Sequence, residues 1–420
     1  GFQKALSSII DANVTTLLTA IVLKSFGSGP IESFATTLII GIFTSLFCAL
    51  VLSRMLILWW MKNGRTINFE TKMTKGAFKN FSFDFVGKRK IFYIISGILM
   101  IGGAVALGTK GLHPSVEFSG GRTFGVKFEK SAGDNLEYIR ENLSKSFKEE
   151  SGKVASIELK TKKNNFYLDI TTNYLLANEN GNELVKTRLE EGLTNCKDKV
   201  GGFEIQESRS VSATVSKELI SSSMTAILLS LVIIFAYILI RFGRWQYSTG
   251  AIIAMIHDVL LVLAAFAIFH GILPFNMDVD QAFVAAILTV IGYSINDTVV
   301  VFDRIRENLG IHKTTNQTDQ INQSLNSTLS RTINTSMTTF IVLLIIFLFG
   351  GAAIKGFIFA LMVGVIVGTY SSLCIATPIL IDFSKKIMVE DAEKIAAKKA
   401  MEAQAAAERA ELDKGTATKL

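Results

Sequence analysis

Eight apolar runs punctuate the chain, at roughly residues 10–26, 33–53, 91–112, 220–240, 247–270, 281–303, 333–349 and 354–379. Most reach the ~17–25 residues that cross a hydrocarbon core about 30 Å thick, so each predicts a membrane-spanning helix. The first and seventh are the shortest and most polar. Between the third and fourth runs the pattern changes period. "TFGVKFEK" alternates as a strand does, and "DNLEYIRENLSKSFKEE" spaces Leu136, Ile139, Leu143 and Phe147 as a helix does. "VASIELKT" and "NFYLDITTNY" read as strands around the polar turn "KKNN", "GNELVKTRLEEGLTN" as a second helix, and "GGFEIQESRSVSATV" as a last strand. That order, β-α-β-β-α-β, predicts a ferredoxin-like domain. The fold hosts many functions and argues for none.

Composition agrees with a membrane protein: 49% of the 420 residues are hydrophobic and 19% charged, against roughly 25% charged in soluble domains. The net charge of +7 invites a nucleic-acid partner, but the basic residues are sorted by loop. Residues 54–90, the 241–246 turn, 304–330 and the exit at Lys385 and Lys386 are rich in Lys and Arg, while the alternate turns are poor. The positive-inside rule puts the basic loops and the C-terminal tail in the cytoplasm and residues 113–218 outside. Basic residues here set topology, and no nucleic-acid partner is expected. The expected organisation is two spans (1–53), a basic linker (54–90), a third span (91–112), the exported domain (113–218), five spans (219–383) and a tail (384–420) that is either a solvated helix or untethered. Within the linker, "FKNFSFDFVGKRK" is either an interfacial amphipathic helix or a solvated connection. Three dispersed cysteines, Cys48, Cys196 and Cys374, indicate neither a disulfide framework nor a metal cluster. No cofactor is expected.

The chain repeats itself. Residue i placed on residue i+323 matches Leu6 with Leu329, Thr15 and Thr16 with Thr338 and Thr339, Phe26 and Gly27 with Phe349 and Gly350, Phe34 with Phe357 and Gly41 with Gly364. Shared hydrophobicity would not hold the Thr-Thr and Phe-Gly pairs in register. One helical hairpin thus occurs twice, as in transporters built from repeated halves. Residues 91–379 make a complete six-span half, and the first hairpin ends another. A two-times-six-span fold is expected, of which eight spans are present.

Ionisable groups inside spans are costly and are functional candidates. Asp297, in "IGYSINDTVVVFDRIRE", lies about 10 Å inward from Arg304 at 1.5 Å per residue. Asp303, beside Arg304, reaches water. Arg331 opens the next apolar run and is the nearest cation in sequence to the membrane interior. Burial disfavours a charged carboxylate and a nearby guanidinium favours it; these opposed tendencies suit a group that loads and releases a proton. Asp297 and Arg331 are therefore the candidate proton relay, and a static buried ion pair is the alternative. Asn296, Asp258 with its neighbour His257, and Asp11 are secondary polar candidates. Asp258 and His257 point about 100° apart on a helix, so they form either a relay or a polar packing contact. Gly292, Ser294, Gly364, Gly368, Ser371 and Ser372 are packing signals.

"IGYSINDTVVVFDRIREN", "SRTINTSMTT", "FGGAAIKGF" and "VGTYSSLCIATP" resemble the SecD/SecF family of bacterial protein-export membrane components, as do "DANVTTLLTAIVLKSFGSGPIESFATTLIIG" and "VEFSGGRTFGV". The chain looks like the end of a SecD-like half followed by a complete SecF-like half. The resemblance implies a proton-driven accessory of the Sec channel, of the resistance-nodulation-division superfamily, in the bacterial inner membrane. Its implied partners are the Sec translocon channel, the remaining SecD-like half, secreted polypeptides and protons. It carries the family's intramembrane Asp onto Asp297 and its following Arg onto Arg331. Glu117 stands where the family usually shows Asp. Two other readings are a lipid or drug efflux transporter of that superfamily, which would need larger exported insertions, and a non-transporting scaffold, which would gain nothing from a buried acid. Covalent catalysis has no signature.

Overall fold

Hydrocarbon leaves no partner for a bare backbone, so the apolar runs close their hydrogen bonds internally as helices. The computed structural model describes residues 2–27, 30–62, 82–148, 155, 157–162, 165–175, 181–273, 275, 277–311, 317–351 and 354–384. The N-terminal hairpin is α1 (Phe2–Phe26) and α2 (Pro30–Phe47), continued through the π-turn Cys48–Leu52 into α3 (Ser53–Lys62). Helix α4 (Arg89–Thr109) leads through the short α5 (Val116–Ser119) into β1 (Gly121–Phe128), α6 (Leu136–Ser146), β2 (Ile157–Lys162), β3 (Tyr167–Thr172), α7 (Asn182–Thr194), α8 (Lys197–Val200) and β4 (Phe203–Val211). The long helices follow: α9 (Ala213–Phe242), α10 (Trp245–Phe269), α11 (Gln281–Ile311), α12 (Gln317–Phe349) and α13 (Lys355–Ser371), with the π-turn Ser372–Ala376 joining α13 to α14 (Thr377–Ser384).

Seven described helical stretches are long and apolar enough to cross a membrane: Glu32–Lys62, Arg89–Thr109, Thr214–Phe242, Trp245–Phe269, Gln281–Leu309, Gln317–Phe349 and Lys355–Phe383. The first expected span corresponds to α1, whose described apolar stretch is the shorter Asn13–Phe26. Helix α12 starts at Gln317, well before the apolar run at 333, so Arg331 lies in the helix interior rather than at its start. Its polar first half is helical because neighbours bury one face. Gln320, Ser324 and Thr328 are buried beside Ile321 and Leu325, and Asn308 of α11 donates to Ser324 Oγ at 2.8 Å.

The repeated hairpins meet. Phe34 and its repeat mate Phe357 stack edge-on with centroids 5.5 Å apart, the contact expected on a pseudo-twofold axis. The π-turns at Cys48–Leu52 and Ser372–Ala376 fall one residue from exact repeat positions. Helix α11 runs between the hairpins. Thr16 of α1 approaches Gly292 O, and on the other side a Cβ at Gly364 would sit 2.1 Å from Val290 Cγ2. Large side chains at these glycines would part the helices.

The sheet outside the bundle is wholly antiparallel, in the order β2-β3-β1-β4. Alternation sends Phe124, Val126, Phe128, Leu168 and Ile170 to the face covered by Ile139 and Leu143 of α6 and Val185, Leu189 and Leu193 of α7. Arg122 is buried too, donating to Asn182 Oδ1 and to the carbonyls of Tyr174 and Leu175. Gly120 (φ 69°) and Gly121 (φ 147°) turn the chain into β1, where a Cβ on Gly121 would meet Thr172 O at 2.9 Å. Residues 113–117 are stitched to the loop before α11. Val279 N donates to His113 O at 2.8 Å, Ser115 N to Val279 O at 2.9 Å, and Gln281 N to Glu117 Oε2 at 2.9 Å. The acid at position 117 thus accepts from the N-terminus of α11, where carboxylates are favoured.

Of the linker, residues 63–81 lie outside the described residues. Residues 82–88 are not helical; they dock on α12. Asn326 pairs with both N and O of Phe83 at 2.9 Å, Asn322 accepts from Val86 N at 3.0 Å and donates to Asp84 Oδ1 at 2.7 Å, and Phe85 and Val86 are buried. Of the expected tail, 384–420, Ser384 ends α14 and residues 385–420 lie outside the described residues.

Candidate functional site: a polar core between α4, α10, α11, α12 and α13

Helix α11 is apolar and almost wholly buried, so each polar side chain on it must find a partner on a neighbour. Asp297 is 7% exposed. Among the described residues its one direct partner is Ser336 of α12, which donates to Oδ2 at 3.4 Å. Ser336 Oγ also lies 2.6 Å from Thr369 Oγ1 of α13 and 3.4 Å from Tyr293 Oη. Arg331 is within electrostatic reach of Asp297, but no ion pair within 4.0 Å joins them. Its side chain is exposed on a face of α12 shared with Asn334, Thr335 and Thr338, also exposed. The expected contact pair is thus a separated pair, with Ser336 holding the acid. Asn296 is half-buried and its Oδ1 has no hydrogen-bond partner among the described residues, as is true of the buried Thr332 Oγ1. Asp303 behaves as a boundary residue, paired with Arg306 at 2.8 Å and Arg241 at 3.5 Å.

Asp258 and His257 do touch. Nδ1 of the imidazole is 3.0 Å from Oδ1 of the neighbouring carboxylate, a bend across consecutive residues that side-chain rotation permits despite the 100° helical offset. Ser294 of α11 and Ser371 of α13 both donate to Oδ2, at 2.6 and 2.7 Å. On the far side of the ring, Nε2 is 3.2 Å from Ser96 Oγ of α4. Ser96 Oγ is 3.1 Å from Tyr370 Oη, which also donates to Phe92 O at 3.1 Å. Asp258 is 1% exposed and His257 6%.

Thr369, Tyr370 and Ser371 are consecutive on α13, and together they serve both acids. They reach because Gly364 and Gly368 let α13 lie against α11; a Cβ at Gly368 would meet Ser294 Cβ at 3.1 Å. In sequence this glycine–serine stripe reads as packing first, and Ser96, Ser336, Thr369 and Tyr370 are not among the candidates. The signal was present in "VGTYSSLC": hydroxyls clustered in an apolar helix need acceptors. Asp11 falls on α1, and its side chain is outside the described residues.

A bundle of spanning helices with two buried acids at its centre and a small α/β domain on one side defines a multi-span helical membrane protein whose polar groups converge inside the bilayer. Two family profiles match: "Protein export membrane protein SecD/SecF, C-terminal" over residues 193–386, and the "SecD/SecF GG Motif" over residues 105–132, which includes Gly120 and Gly121. The chain is 40% identical over 305 residues to a protein translocase subunit SecF of Rhodothermus marinus, covering 73% of this chain and 94% of the relative. It is 35% identical over 396 residues to a protein translocase subunit SecDF of Brucella abortus, covering 93% of this chain and 49% of that one. The crystal structure of SecDF, a translocon-associated membrane protein from Thermus thermophilus, superposes with a TM-score of 0.77 at 28% identity, covering 92% of this chain and 49% of that one. The chain belongs to the SecD/SecF family of protein export membrane proteins. It spans nearly the whole of its SecF relative and about half the length of the SecDF proteins it matches.

Proposed function

We propose that the chain is the SecF-like half, with the last two spans of a SecD-like half, of an accessory component of the bacterial Sec translocase, and that it uses proton flow to promote translocation and release of secreted polypeptides on the periplasmic side. The observation that carries this reading is Asp297. It is a carboxylate on an apolar spanning helix, 7% exposed, held by a single long hydroxyl contact. Arg331 acts on it electrostatically without a direct bond. A static tie would close that ion pair; a relay needs a group that can change its charge.

In this reading α1 is the first of eight spans. Residues 113–218 are a periplasmic domain, ferredoxin-like in its βαββαβ order, and the C-terminus is cytoplasmic. Exposed polar groups on a spanning helix are costly in lipid, so the α12 face of Arg331, Asn334, Thr335 and Thr338 receives the other, SecD-like half. That half completes the proton path, to which Asn296 and Asp11 are secondary polar contributors. The hydrogen bond from Gln281 N to Glu117 links the periplasmic arm to the helix that carries Asp297. Motion of the exported domain against a secreted polypeptide is thereby coupled to protonation, with the Sec channel and its membrane components as partners and no hydrolytic chemistry.

The test is export of a secreted protein, with and without a proton gradient, in wild type and Asp297→Asn. The variant is expected to lose the gradient-dependent part of export. Full export that still responds to the gradient overturns the relay. Arg331→Met is expected to lose the same part; unchanged export would assign the arginine to structure.

A further inference from the structure

The buried pair His257 and Asp258 is not needed to explain the Asp297 site, and its hydrogen-bond arithmetic points to more than helix packing. Four contacts run in line from Asp258 Oδ1 through His257 Nδ1 and Nε2, Ser96 Oγ and Tyr370 Oη to Phe92 O, each between 3.0 and 3.2 Å. With a neutral imidazole, Nδ1–H donates to the carboxylate and Nε2 is a bare acceptor. Ser96 then donates to Nε2 and Tyr370 donates to Ser96, so the chain is complete in one direction. Add one proton at Nε2. The imidazolium now donates to Ser96, Ser96 turns its hydroxyl to Tyr370, and Tyr370 turns its own to Phe92 O. The chain is complete again in the opposite direction. The two states differ by one proton and by the rotation of two hydroxyls; every donor of the chain is used in both, and the Tyr370–Phe92 O contact carries a hydrogen only in the loaded one. Oδ2 meanwhile keeps its two serine donors, Ser294 and Ser371, in both states.

We propose that His257 and Asp258, with Ser96 and Tyr370, form a second proton-binding site in the bundle, which accepts one proton on His257 Nε2 and stores it as an imidazolium–carboxylate pair. The carbonyl of Phe92 lets the loaded state exist, because it takes the tyrosine hydroxyl that Ser96 no longer needs. The titratable side chains on the surrounding elements are few. Helix α10 adds Tyr247, ten residues before His257 and packed on Phe242 and Phe302, and α9 adds Tyr237 and Arg241, the latter paired with Asp303. Helix α4 offers Tyr93, whose hydroxyl is given to Asp382 of α14, itself paired with Arg89. The α13 side offers Tyr370 and Cys374. Helix α11 offers Asp297, three residues past Ser294. The two acids communicate through α13, where Thr369 contacts the serine that holds Asp297 and Ser371 donates to Asp258. A proton stored at one is therefore felt by the helix that positions the other. This last step rests on the proton-driven reading above; the storage site itself does not.

The chain has four histidines, so ¹⁵N spectra of histidine-labelled protein in lipid nanodiscs assign His257 by its absence in His257→Gln. The expected result is reversible conversion of His257 between the neutral Nδ1–H form and the imidazolium as pH is lowered. Asp258→Asn should shift the midpoint to lower pH by more than a factor of ten in proton concentration, and Tyr370→Phe should shift it by less. A His257 that stays a single neutral species at every pH where the protein is folded overturns the proposal, as does a midpoint unmoved by Asp258→Asn. The two readings fail separately. Gradient-dependent export lost in Asp297→Asn with a non-titrating His257 removes only the second site. A titrating His257 in a protein whose export ignores the gradient removes only the proton-driven function.

Discussion

Gly364 is where the close approach of two helices can be tested against the polar core it permits. A Cβ built there would lie 2.1, 2.8 and 3.0 Å from Cγ2, Cγ1 and Cβ of Val290. All three are atoms of one β-branched side chain, which has a single favoured rotamer in a helix and cannot swing aside. Gly364→Ala therefore has to push α13 away from α11 by about 1–1.5 Å before carbon contacts reach their optimum near 3.5 Å. Overpacking of this kind costs roughly 1–3 kcal/mol. The displacement also reaches the core: Thr369 lies 2.6 Å from Ser336, and Ser371 donates to Asp258 at 2.7 Å. Stretched by an ångström, both contacts pass beyond hydrogen-bonding geometry, and interhelical bonds in membranes average about 0.6 kcal/mol each. The expected total is roughly 2–4 kcal/mol, read as a lowered thermal midpoint in nanodiscs and reduced gradient-dependent export. Val290→Ala removes two of the clashing atoms, so Gly364→Ala/Val290→Ala should recover most of both losses. Unchanged stability and export in Gly364→Ala, or a double variant no better than the single, would refute the reasoning.

Three further outcomes follow from groups outside the spans. Asn326→Ala leaves Phe83 N and O without their partner and should cost roughly 1–3 kcal/mol of docking, seen as faster protease cleavage within residues 82–88. The backbone of Gly87, and then Asn322, hold the Asp84 carboxyl below its ordinary value of 3.8. Its contribution is therefore complete above that value and is lost as pH falls through the lowered one; the group is exposed, so the effect is modest, and Asp84→Asn should flatten protection against pH in that range. Burial, and then Asp198, push the Cys196 thiol up to about 11, so in a Cys48→Ser background, which removes the exposed thiol, maleimide at pH 8 should label Cys196 only after unfolding; its labelling in the native chain would contradict its place in the domain core.

Arg122 shows how a local pattern understates a site. In "GGRTFGVKF" it occupies an ordinary strand position beside the glycine turn. Its burial depends on carbonyls at Tyr174 and Leu175 and on Asn182, all some fifty to sixty residues away. The succession of strands and helices along the domain was legible because alternation with period two and helices of period 3.6 are local properties. So were seven of the eight expected spanning helices, whose length and polarity are set by the thickness of the bilayer. The start of α12 was not, because "QTDQINQSLNSTLS" is polar and only burial against α11 and residues 82–88 makes it a helix continuous with the span.

Asp297 and Asp258 were legible as buried acids, since a charge inside a hydrophobic run stands out one residue at a time. Their partners were not. Ser96 and Ser336 are unremarkable in their own helices, and the hydroxyls of "VGTYSSLC" ask for acceptors without naming them; all matter only because the bundle brings α4, α10, α11, α12 and α13 within hydrogen-bond distance of one another. The sequence by itself determined the membrane class, the repeat, the succession of strands and helices in the domain and the identity of the costly residues, all of which rest on local periodicity and transfer energy. The tertiary structure alone decided that Asp297 meets a serine before an arginine, that His257 and Asp258 form one hydrogen-bonded chain, and that three consecutive residues of α13 join the two acids. A hydrogen bond depends on positions to within about half an ångström, and that precision exists only once the helices have packed.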